Sequence, residues 1–317
     1  MPVEEATTTR VIGVLWGVLM FMQRRRGAIV GANQGVPDTL ERMTTSRSSI
    51  RRGYLDGPSG QIHYRRCMGR GSGGEVGEPL ILLHQSPLSS TQFEAVMPAL
   101  AAVGFDALAL DMPGFGMSDV AADGATLEDF ASIISAGLRA MGWTSANLIG
   151  HHTGAVLGAV FAAANPQAVR KLVLNGFPLL GKAERDHFAT FYFGPKDPKP
   201  DGSHLLIAWE NRLRSTPGWS ELRLMHRYTV EALHRDGSNW RAFPLVISAD
   251  LEAVLKRIEV PTLMFTNTGE DLHSATQRAH GLRPDFFAYA ELQGGSHDII
   301  DEQPENWVRE IVRYLRA

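Results

Sequence analysis

The sequence predicts an α/β fold, in which a mostly parallel sheet is flanked by helices and a helical segment is inserted late in the chain. Short apolar runs alternate with longer helical patterns from about residue 60 to about residue 175, which is typical of a mostly parallel sheet. The alternation resumes after about residue 260, beyond an aromatic-rich stretch with no obvious strand. A length of 317 residues suits one such core with an insertion, or two small domains.

Seven short runs fit strands of this sheet. The first is one arm of a hairpin, because the turn residues Gly57, Pro58 and Gly60 come directly before it. The later runs are compact and apolar, as expected of strands that are covered on both faces. In chain order the predicted strands are Gln61–Arg66, Leu80–Leu83, Ala107–Leu110, Asn147–Ile149, Leu172–Leu174, Thr262–Phe265 and Phe286–Leu292.

Four longer segments fit helices that cover the sheet. Serine precedes the body of the first helix as a cap, and proline occupies the first turn of the last helix, where it is favoured. The third is rich in small residues, which suits close packing after a strand. The predicted helices are Ser90–Val103, Leu127–Met141, Thr153–Ala164 and Pro304–Leu315.

Two segments differ from this pattern and set the predicted domain boundaries. Residues 1–49 are read as an N-terminal tail, because the apolar run Val11–Met22 is too short for the roughly 20 residues of a membrane span. A peripheral membrane anchor is the alternative for this run. Residues 177–250 are read as a helical cap inserted between the core segments 50–176 and 251–317. The cap carries the aromatic residues Phe188, Phe191, Tyr192, Phe193, Trp209, Trp219, Tyr228, Trp240 and Phe243, with Pro195, Pro198 and Pro200 in the middle.

Composition excludes several classes of function. The formal net charge of -3 gives no strong field of either sign, so we expect no nucleic-acid partner. Cys67 is the only cysteine, which rules out an intramolecular disulfide and a CxxC redox motif, and we read it as a packing residue. A reducing compartment follows, and the expected location is the cytoplasm without stable membrane insertion.

The segment Gly150–Gly154, reading GHHTG, lies between a predicted strand and a predicted helix. A reactive residue at such a sharp turn needs small neighbours for the backbone to pass, and histidine is among the non-glycine residues enriched at positive φ. His152 stands at the centre of the turn. The N–H of Thr153, at the start of the helix, would face a developing oxyanion.

Two further segments supply a base and an acid. His297 follows Gly294 and Gly295 after the last predicted strand and is the expected base. Asp271, at the end of another strand, is the expected acid that orients its imidazole, and the adjacent Glu270 is the alternative.

The segment after the Leu80–Leu83 strand begins His84-Gln85-Ser86-Pro87. The N–H of Ser86 is the expected second oxyanion donor, and His84 and Gln85 are expected to contact substrate. A metal site made from His84, His151, His152 and His297 lacks an HxH or HExxH spacing, so no metal is predicted and His151 is expected to pack away from the pocket.

Together these segments make the chain, over roughly residues 51–317, resemble the α/β-hydrolase superfamily. His84 with Pro87 resembles its HGxP segment, and Asp111–Asp119, reading DMPGFGMSD, resembles its D-x-P-G-x-G-x-S segment. Nucleophile position, acid and base occur in the expected order. The resemblance implies an eight-stranded, mostly parallel sheet and is strongest to the capped branch that holds haloalkane dehalogenases, epoxide hydrolases and cofactor-free haloperoxidases.

Two residues depart from the family pattern. Gln85 replaces a glycine, and His152 stands where the family has Ser, Asp or Cys, so neither the acyl-serine nor the alkyl-aspartate mechanism can be transferred. The prediction is a cofactor-independent hydrolase in which His152, Asp271 and His297 are catalytic, and in which His152 attacks the substrate or holds a water. The alternatives are a lyase or isomerase on the same fold, and a binding protein without turnover.

The cap is expected to select the substrate. Its aromatic residues predict an apolar or aromatic small molecule, and the alternative is that most of them form the core of the cap itself. For a hydrolase the expected substrate is small, apolar and ester-like. His204 with Trp209 is the segment chosen as the pocket rim. A homodimer is left open.

Overall fold

The structure is a computed structural model and describes residues 49–190, 198–218 and 221–317. Residues 1–48 of the predicted tail lie outside the described residues. So do Phe191, Tyr192, Phe193, Pro195 and Trp219 of the predicted cap.

One eight-stranded sheet runs through the described residues, as predicted. The first strand pairs antiparallel with the second and the second with the fourth, whereas every other pairing is parallel. The strands are β1 (Arg51–Gly57), β2 (Gly60–Cys67), β3 (Glu78–Leu83), β4 (Phe105–Leu110), β5 (Ala146–His151), β6 (Val169–Asn175), β7 (Thr262–Asn267) and β8 (Phe287–Leu292), in the spatial order β1-β2-β4-β3-β5-β6-β7-β8.

Helices cover both faces of this sheet and fill the segment between β6 and β7. Their bounds are α1 (Met97–Ala102), α2 (Leu127–Ala131), α3 (Ile133–Met141), α4 (Thr153–Ala164), α5 (Lys182–Thr190), α6 (Ser203–Ser215), α7 (Leu222–Ala232), α8 (Ala242–Ser248), α9 (Leu251–Lys256), α10 (His273–Gly281), α11 (Ile299–Glu302) and α12 (Pro304–Arg316), with 3₁₀ turns at Ser90–Phe93, Pro166–Ala168 and Arg235–Trp240.

All seven predicted strands are present, and β1 supplies the hairpin partner that lies before the predicted turn. Two helix predictions are corrected. Ser90–Val103 is a 3₁₀ turn followed by the short helix α1, with Pro98 in the first turn of α1. Leu127–Met141 divides at Ser132, whose hydroxyl donates to the carbonyl of Asp129 and so satisfies a group that a continuous helix would use itself.

The hydrophobic core has two layers, one on each face of the sheet. Side chains of α3, α4 and α9 pack with Leu83 and Leu110 on one face. Trp307 and Ile311 of α12 pack with α1 and Leu82 on the other face. Because strands bury alternate side chains on opposite faces, the apolar residues of β3 contribute to both layers.

The sheet brings the predicted site residues to one edge. Parallel strands end at the same edge, so the segments that follow β3, β5, β7 and β8 meet there. The segment between β6 and β7 contains helices and no strand among its described residues. None of the helices in the described residues is both long and apolar enough to cross a membrane.

Candidate active site

His152 occupies a sharp turn between β5 and α4, with φ 49° and ψ -108°. It is the only non-glycine residue with a positive φ in the described part of the chain. Glycine is needed at both ends of this turn because a larger side chain would clash with the backbone. A Cβ on Gly150 would lie 2.2 Å from the carbonyl oxygen of Gly154, and a Cβ on Gly154 would lie 2.1 Å from the carbonyl oxygen of Leu83. Such a costly backbone conformation is typical of functional sites and is held here by the surrounding structure.

Both ring nitrogens of His152 have a partner. Nε2 lies 2.8 Å from Oε2 of Glu270, and Nδ1 lies 3.1 Å from Nε2 of His297. The side chain is 6% exposed. The imidazole is therefore held in place by a hydrogen-bonding partner on each side.

His297 and Asp271 form the pair expected from the sequence. Nδ1 of His297 lies 3.1 Å from Oδ1 of Asp271, and the two side chains are 22% and 55% exposed. Burial alone raises the pKa of Asp271, but the adjacent His297 and its hydrogen bond outweigh that effect, so the pKa falls below its ordinary value.

The two acids proposed as alternatives both reach the site, each beside a different histidine. Glu270 is buried next to His152, where its Oε1 accepts hydrogen bonds from the hydroxyl of Thr266 and the N–H of Asn267. Burial raises the pKa of Glu270 and outweighs the opposite effect of the Thr266 hydrogen bond. The sequence signal for this second contact was the pair of adjacent acids at the end of β7.

Burial also lowers the pKa of His152 well below its ordinary value, and the nearby His297 lowers it further. His152 is therefore neutral near pH 7. His151 is buried as well, and its ring stacks on that of His152 at a centroid distance of 4.0 Å. Its Nδ1 lies 2.7 Å from the amide nitrogen of Gln92, as suits the packing role predicted for it.

The two predicted oxyanion donors lie at the cavity. Ser86 and Thr153 both line it, and the N–H of Ser86 lies 3.4 Å from Oγ1 of Thr153. As the first residue of α4, Thr153 has an N–H without a partner inside the helix. The N–H of Ser86 donates to the Thr153 hydroxyl in this structure, and the role of both N–H groups as oxyanion donors stays a prediction.

The cavity has a volume of about 990 Å³ and is walled mainly by the helices between β6 and β7. His152, Asp271 and His297 lie on its wall. Its apolar lining includes Leu88, Leu180, Phe188, Ile207, Leu233, Trp240, Phe243, Val246, Ile247 and Leu272.

The sequence model of the alpha/beta hydrolase fold family matches residues 78–236 of the chain, which include the turn at His152. The chain belongs to the α/β-hydrolase fold family. Solved members of this fold are similar over most of the chain. The enol-lactonase from Burkholderia xenovorans LB400 has a TM-score of 0.68 with 18% identity and covers 84% of this chain and 100% of its own. An epoxide hydrolase from an endophytic Streptomyces has a TM-score of 0.68 with 20% identity and covers 86% and 96%.

Curated relatives match a shorter part of this α/β-hydrolase. The 2-hydroxy-6-oxononadienedioate/2-hydroxy-6-oxononatrienedioate hydrolase 1 of Dechloromonas aromatica (strain RCB) is 33% identical over 143 residues, which are 44% of this chain and 46% of that protein. The serine hydrolase-like protein of Homo sapiens is 30% identical over 119 residues, 36% of this chain and 58% of that protein. The chain thus spans about half the length of the curated relatives it matches.

The hydrolase-fold cavity excludes four residues that the sequence placed in it, namely His84, Gln85, His204 and Trp209. His84 is fully buried, and both of its ring nitrogens have backbone partners. Nδ1–H donates to the carbonyl of Gln85 at 2.8 Å, and Nε2 accepts the N–H of Met112 at 3.0 Å. Burial lowers its pKa to about 4. The amide of Gln85 reaches behind the loop to Asp298, at 3.3 Å.

His204 and Trp209 were expected at the pocket rim and are also corrected. Nδ1 of His204 accepts the N–H of Lys199 at 3.1 Å, outside the cavity. Helical spacing on α6 instead turns Ala208, Asn211, Arg212 and Ser215 toward the cavity, and Trp209 falls on a different face.

Arg212 is the residue on this wall that sequence reasoning missed. Its guanidinium pairs with Asp298 and lies 4.6 Å from the centre of the Tyr228 ring, whose hydroxyl donates to Asp301. Its side chain is 10% exposed, and burial lowers its pKa to about 10. Because Arg212 and Asp298 are 86 positions apart, nothing local in the sequence indicates their pairing.

One group in the described residues has donor atoms close enough for a metal ion, namely His151, His152 and Glu270, within 4.8 Å of one another. Nδ1 of His151 is already used, since it lies 2.7 Å from the amide nitrogen of Gln92. The position between His152 and Glu270 is already used by their own hydrogen bond. The donor set therefore fits a hydrogen-bonded cluster better than a metal centre.

Proposed function

We propose that the chain is a cofactor-independent hydrolase of a small, ester-like substrate, and that a water held between His152 and His297 is the attacking group. The observation that supports this is the double engagement of His152. Each imidazole nitrogen has one in-plane position, which holds either a proton or a lone pair. Both positions of His152 point at partners, Glu270 and His297, so neither nitrogen directs a lone pair at the cavity.

In the proposed reaction the direct contact between His152 and His297 opens to admit one water. The water accepts the Nδ1–H of His152 and donates to Nε2 of His297, which takes the proton as the water oxygen bonds to the carbonyl carbon. Asp271 stabilises the imidazolium that forms at His297. The oxyanion meets the N–H groups of Ser86 and Thr153. The carbon–oxygen ester bond then breaks, and His297 returns the proton to the departing alcohol.

The lining of the cavity supports a substrate with an apolar body and one acidic end. Aromatic and aliphatic side chains from the cap helices make up most of the wall. Arg212 is the buried cation among them and could share its charge between Asp298 and a substrate carboxylate. Relatives named as hydrolases of 2-hydroxy-6-oxononadienedioate are consistent with this proposal.

The first experiment measures hydrolysis of short aryl esters and lactones, each tested with and without a carboxylate, by the wild type, His297→Ala and His152→Ala. We expect turnover by the wild type and a loss of about 10²-fold or more in kcat for His297→Ala, because the general base is gone. His152→Ala should also lose kcat, since the water loses its donor. A His297→Ala enzyme with wild-type kcat on every accepted substrate would contradict the proposal.

A second experiment separates the mechanisms. Product formed in oxygen-labelled water should carry the label if the enzyme is a hydrolase, whereas an unlabelled product would indicate a lyase or isomerase. Rapid quenching followed by peptide mass spectrometry should find no acyl group on His152. An acylated His152 peptide that forms in a burst would show that His152, and not water, attacks the substrate.

A further inference from the structure

Two carboxyl groups and two imidazoles lie in one unbroken row, Glu270–His152–His297–Asp271. The three contacts measure 2.8, 3.1 and 3.1 Å between heavy atoms. In each contact the two heavy atoms would direct lone pairs at each other and repel unless one proton lies between them. Three contacts therefore need three protons. Two neutral histidines supply one proton each, and two ionised acids supply none. The row therefore holds one additional proton.

The position of the third proton follows from burial. Asp271 is 55% exposed and faces His297, so water and its partner both favour its ionised form. An imidazolium at His152 would be a buried charge in a side chain that is only 6% exposed. Ionised Glu270 would be worse, because its side chain is 0% exposed and, in the described part of the chain, no lysine or arginine pairs with it.

We propose that Glu270 is a protonated positioning residue that donates its O–H to Nε2 of His152, and thereby fixes the proton of His152 on Nδ1. The chain of donors then runs in one direction, from Glu270 to His152, from His152 Nδ1–H to His297, and from His297 Nδ1–H to Asp271. The direction of the Glu270 pKa shift agrees with this order.

The surroundings of Glu270 fit a neutral carboxyl group. Its Oε1 accepts from Thr266 and Asn267, which leaves Oε2 as the atom that carries the proton toward His152. Titratable groups close to Glu270 are His151, His152, His297, Asp271 and Tyr289, and burial holds both His151 and His152 in their neutral forms. The role for catalysis rests on the proposed function, because the Nδ1–H of His152 is the donor that holds the attacking water there.

Histidine tautomers test the proposal without any substrate. In protein labelled with ¹⁵N-histidine at neutral pH, long-range proton–nitrogen NMR spectra should show His152 with its proton on Nδ1. His152→Asn and His297→Asn spectra assign the two signals. A His152 with its proton on Nε2, donating to an ionised Glu270, would overturn the proposal even if the enzyme hydrolyses esters.

Two variants at Glu270 add a kinetic readout. Gln has the shape of a protonated Glu and can donate its amide N–H to His152 while its carbonyl accepts from Thr266 and Asn267, whereas Leu has a similar size and no donor. Glu270→Gln should keep the Nδ1–H tautomer and exceed Glu270→Leu in kcat by about tenfold or more, as expected when an orienting partner is retained. Equal kcat values for the two, with both proteins folded by circular dichroism, would overturn the proposal.

The two proposals fail in different ways. A wild type that hydrolyses nothing, but shows His152 protonated on Nδ1, supports the assignment of Glu270 and contradicts only the proposed function. An active enzyme with the Nε2–H tautomer contradicts the assignment of Glu270 and the role of the Nδ1–H in holding the water, and leaves the hydrolase activity itself supported.

Discussion

At the scale of single residues, an imidazole at the turn between β5 and α4 differs chemically from a hydroxyl at that position. A hydroxyl oxygen keeps a lone pair after it donates a hydrogen bond, but each imidazole nitrogen has only one in-plane position. At His152 both positions face side chains, Glu270 on one side and His297 on the other. This geometry supports the proposal that His152 orients a water rather than attacks the substrate.

Asp271, the more exposed acid of the row Glu270–His152–His297–Asp271, gives a prediction at this scale. Asp271→Asn should lower kcat by about 10²-fold or more, because the amide cannot stabilise an imidazolium at His297 as a carboxylate does. The side chain is 55% exposed, so the free energy of unfolding should change by less than about 1 kcal/mol. Steady-state kinetics and urea denaturation of the same preparation measure both effects.

Asp285→Asn is the matched control for Asp271→Asn, because Asp285 is an exposed acid just before β8 and lies outside the cavity. It should leave both kcat and stability unchanged. If Asp271→Asn has wild-type kcat, His297 works without its acid, and the assignment of Asp271 is wrong.

At the scale of elements, seven of the eight strands were predictable from the sequence, and the limits of the prediction have identifiable causes. Buried parallel strands such as β3 contain short apolar runs, here Leu80–Leu83, and α4 was predicted with its observed bounds. The Leu127–Met141 helix was predicted whole because its apolar spacing continues through Ser132, where a side-chain hydrogen bond to the backbone divides it. Residues such as Trp209 were misplaced because composition does not give the rotation of a helix about its axis.

The close contact between the end of β3 and the turn that leads from β5 into α4 gives a prediction at this scale. In Gly154→Ala the new methyl group would meet the backbone carbonyls of Leu83 and His84 at 2.1 and 2.7 Å, and neither carbonyl can move without shifting β3. The variant should lose at least about 1–3 kcal/mol of unfolding free energy, as overpacked sites do. Its kcat should also fall, because Thr153 and Ser86 would move apart.

Gly281→Ala is the contrasting substitution. It lies at the end of α10, where an added Cβ meets nothing within 4 Å. Alanine there should stabilise the protein by about 0.5–1 kcal/mol, because it restricts the unfolded chain more than glycine does. Urea denaturation of the two variants compares them directly, and equal stabilities would show that the approach at Gly154 is not a constraint.

At the scale of the whole molecule, contacts between distant segments shape the site, and these contacts could not be predicted from the sequence. Arg212 of α6 meets Asp298, and Glu231 of α7 accepts hydrogen bonds from Ser89 and Thr91 of the core. These pairs join residues 86 to 142 positions apart. The pattern of the sequence indicated which strands end near one another, but only the packed structure shows which polar side chains of distant segments are in contact.

Buried neutral histidines give the molecule a distinctive response to acid. The pKa of His84 falls from an ordinary 6.5 to about 4, because burial disfavours the charged ring and protonation of Nε2 would remove the bond from Met112. Between these two values the unfolded chain binds a proton that the folded chain does not, so stability falls as pH is lowered from 6.5 toward 4. The expected loss from His84 alone is about 3 kcal/mol.

The measurement is the pH dependence of the unfolding free energy, compared with that of His84→Asn. His151 and His152 act in the same direction as His84, whereas Glu270, whose pKa is raised, acts in the opposite direction. His151, His152 and Glu270 are present in both proteins, so their contributions to the pH dependence cancel in the comparison. Although His84→Asn should be less stable near pH 7, its stability should fall less steeply on acidification, with about one proton fewer taken up on unfolding near pH 5. Parallel curves for the two proteins would show that His84 titrates alike in the folded and unfolded states.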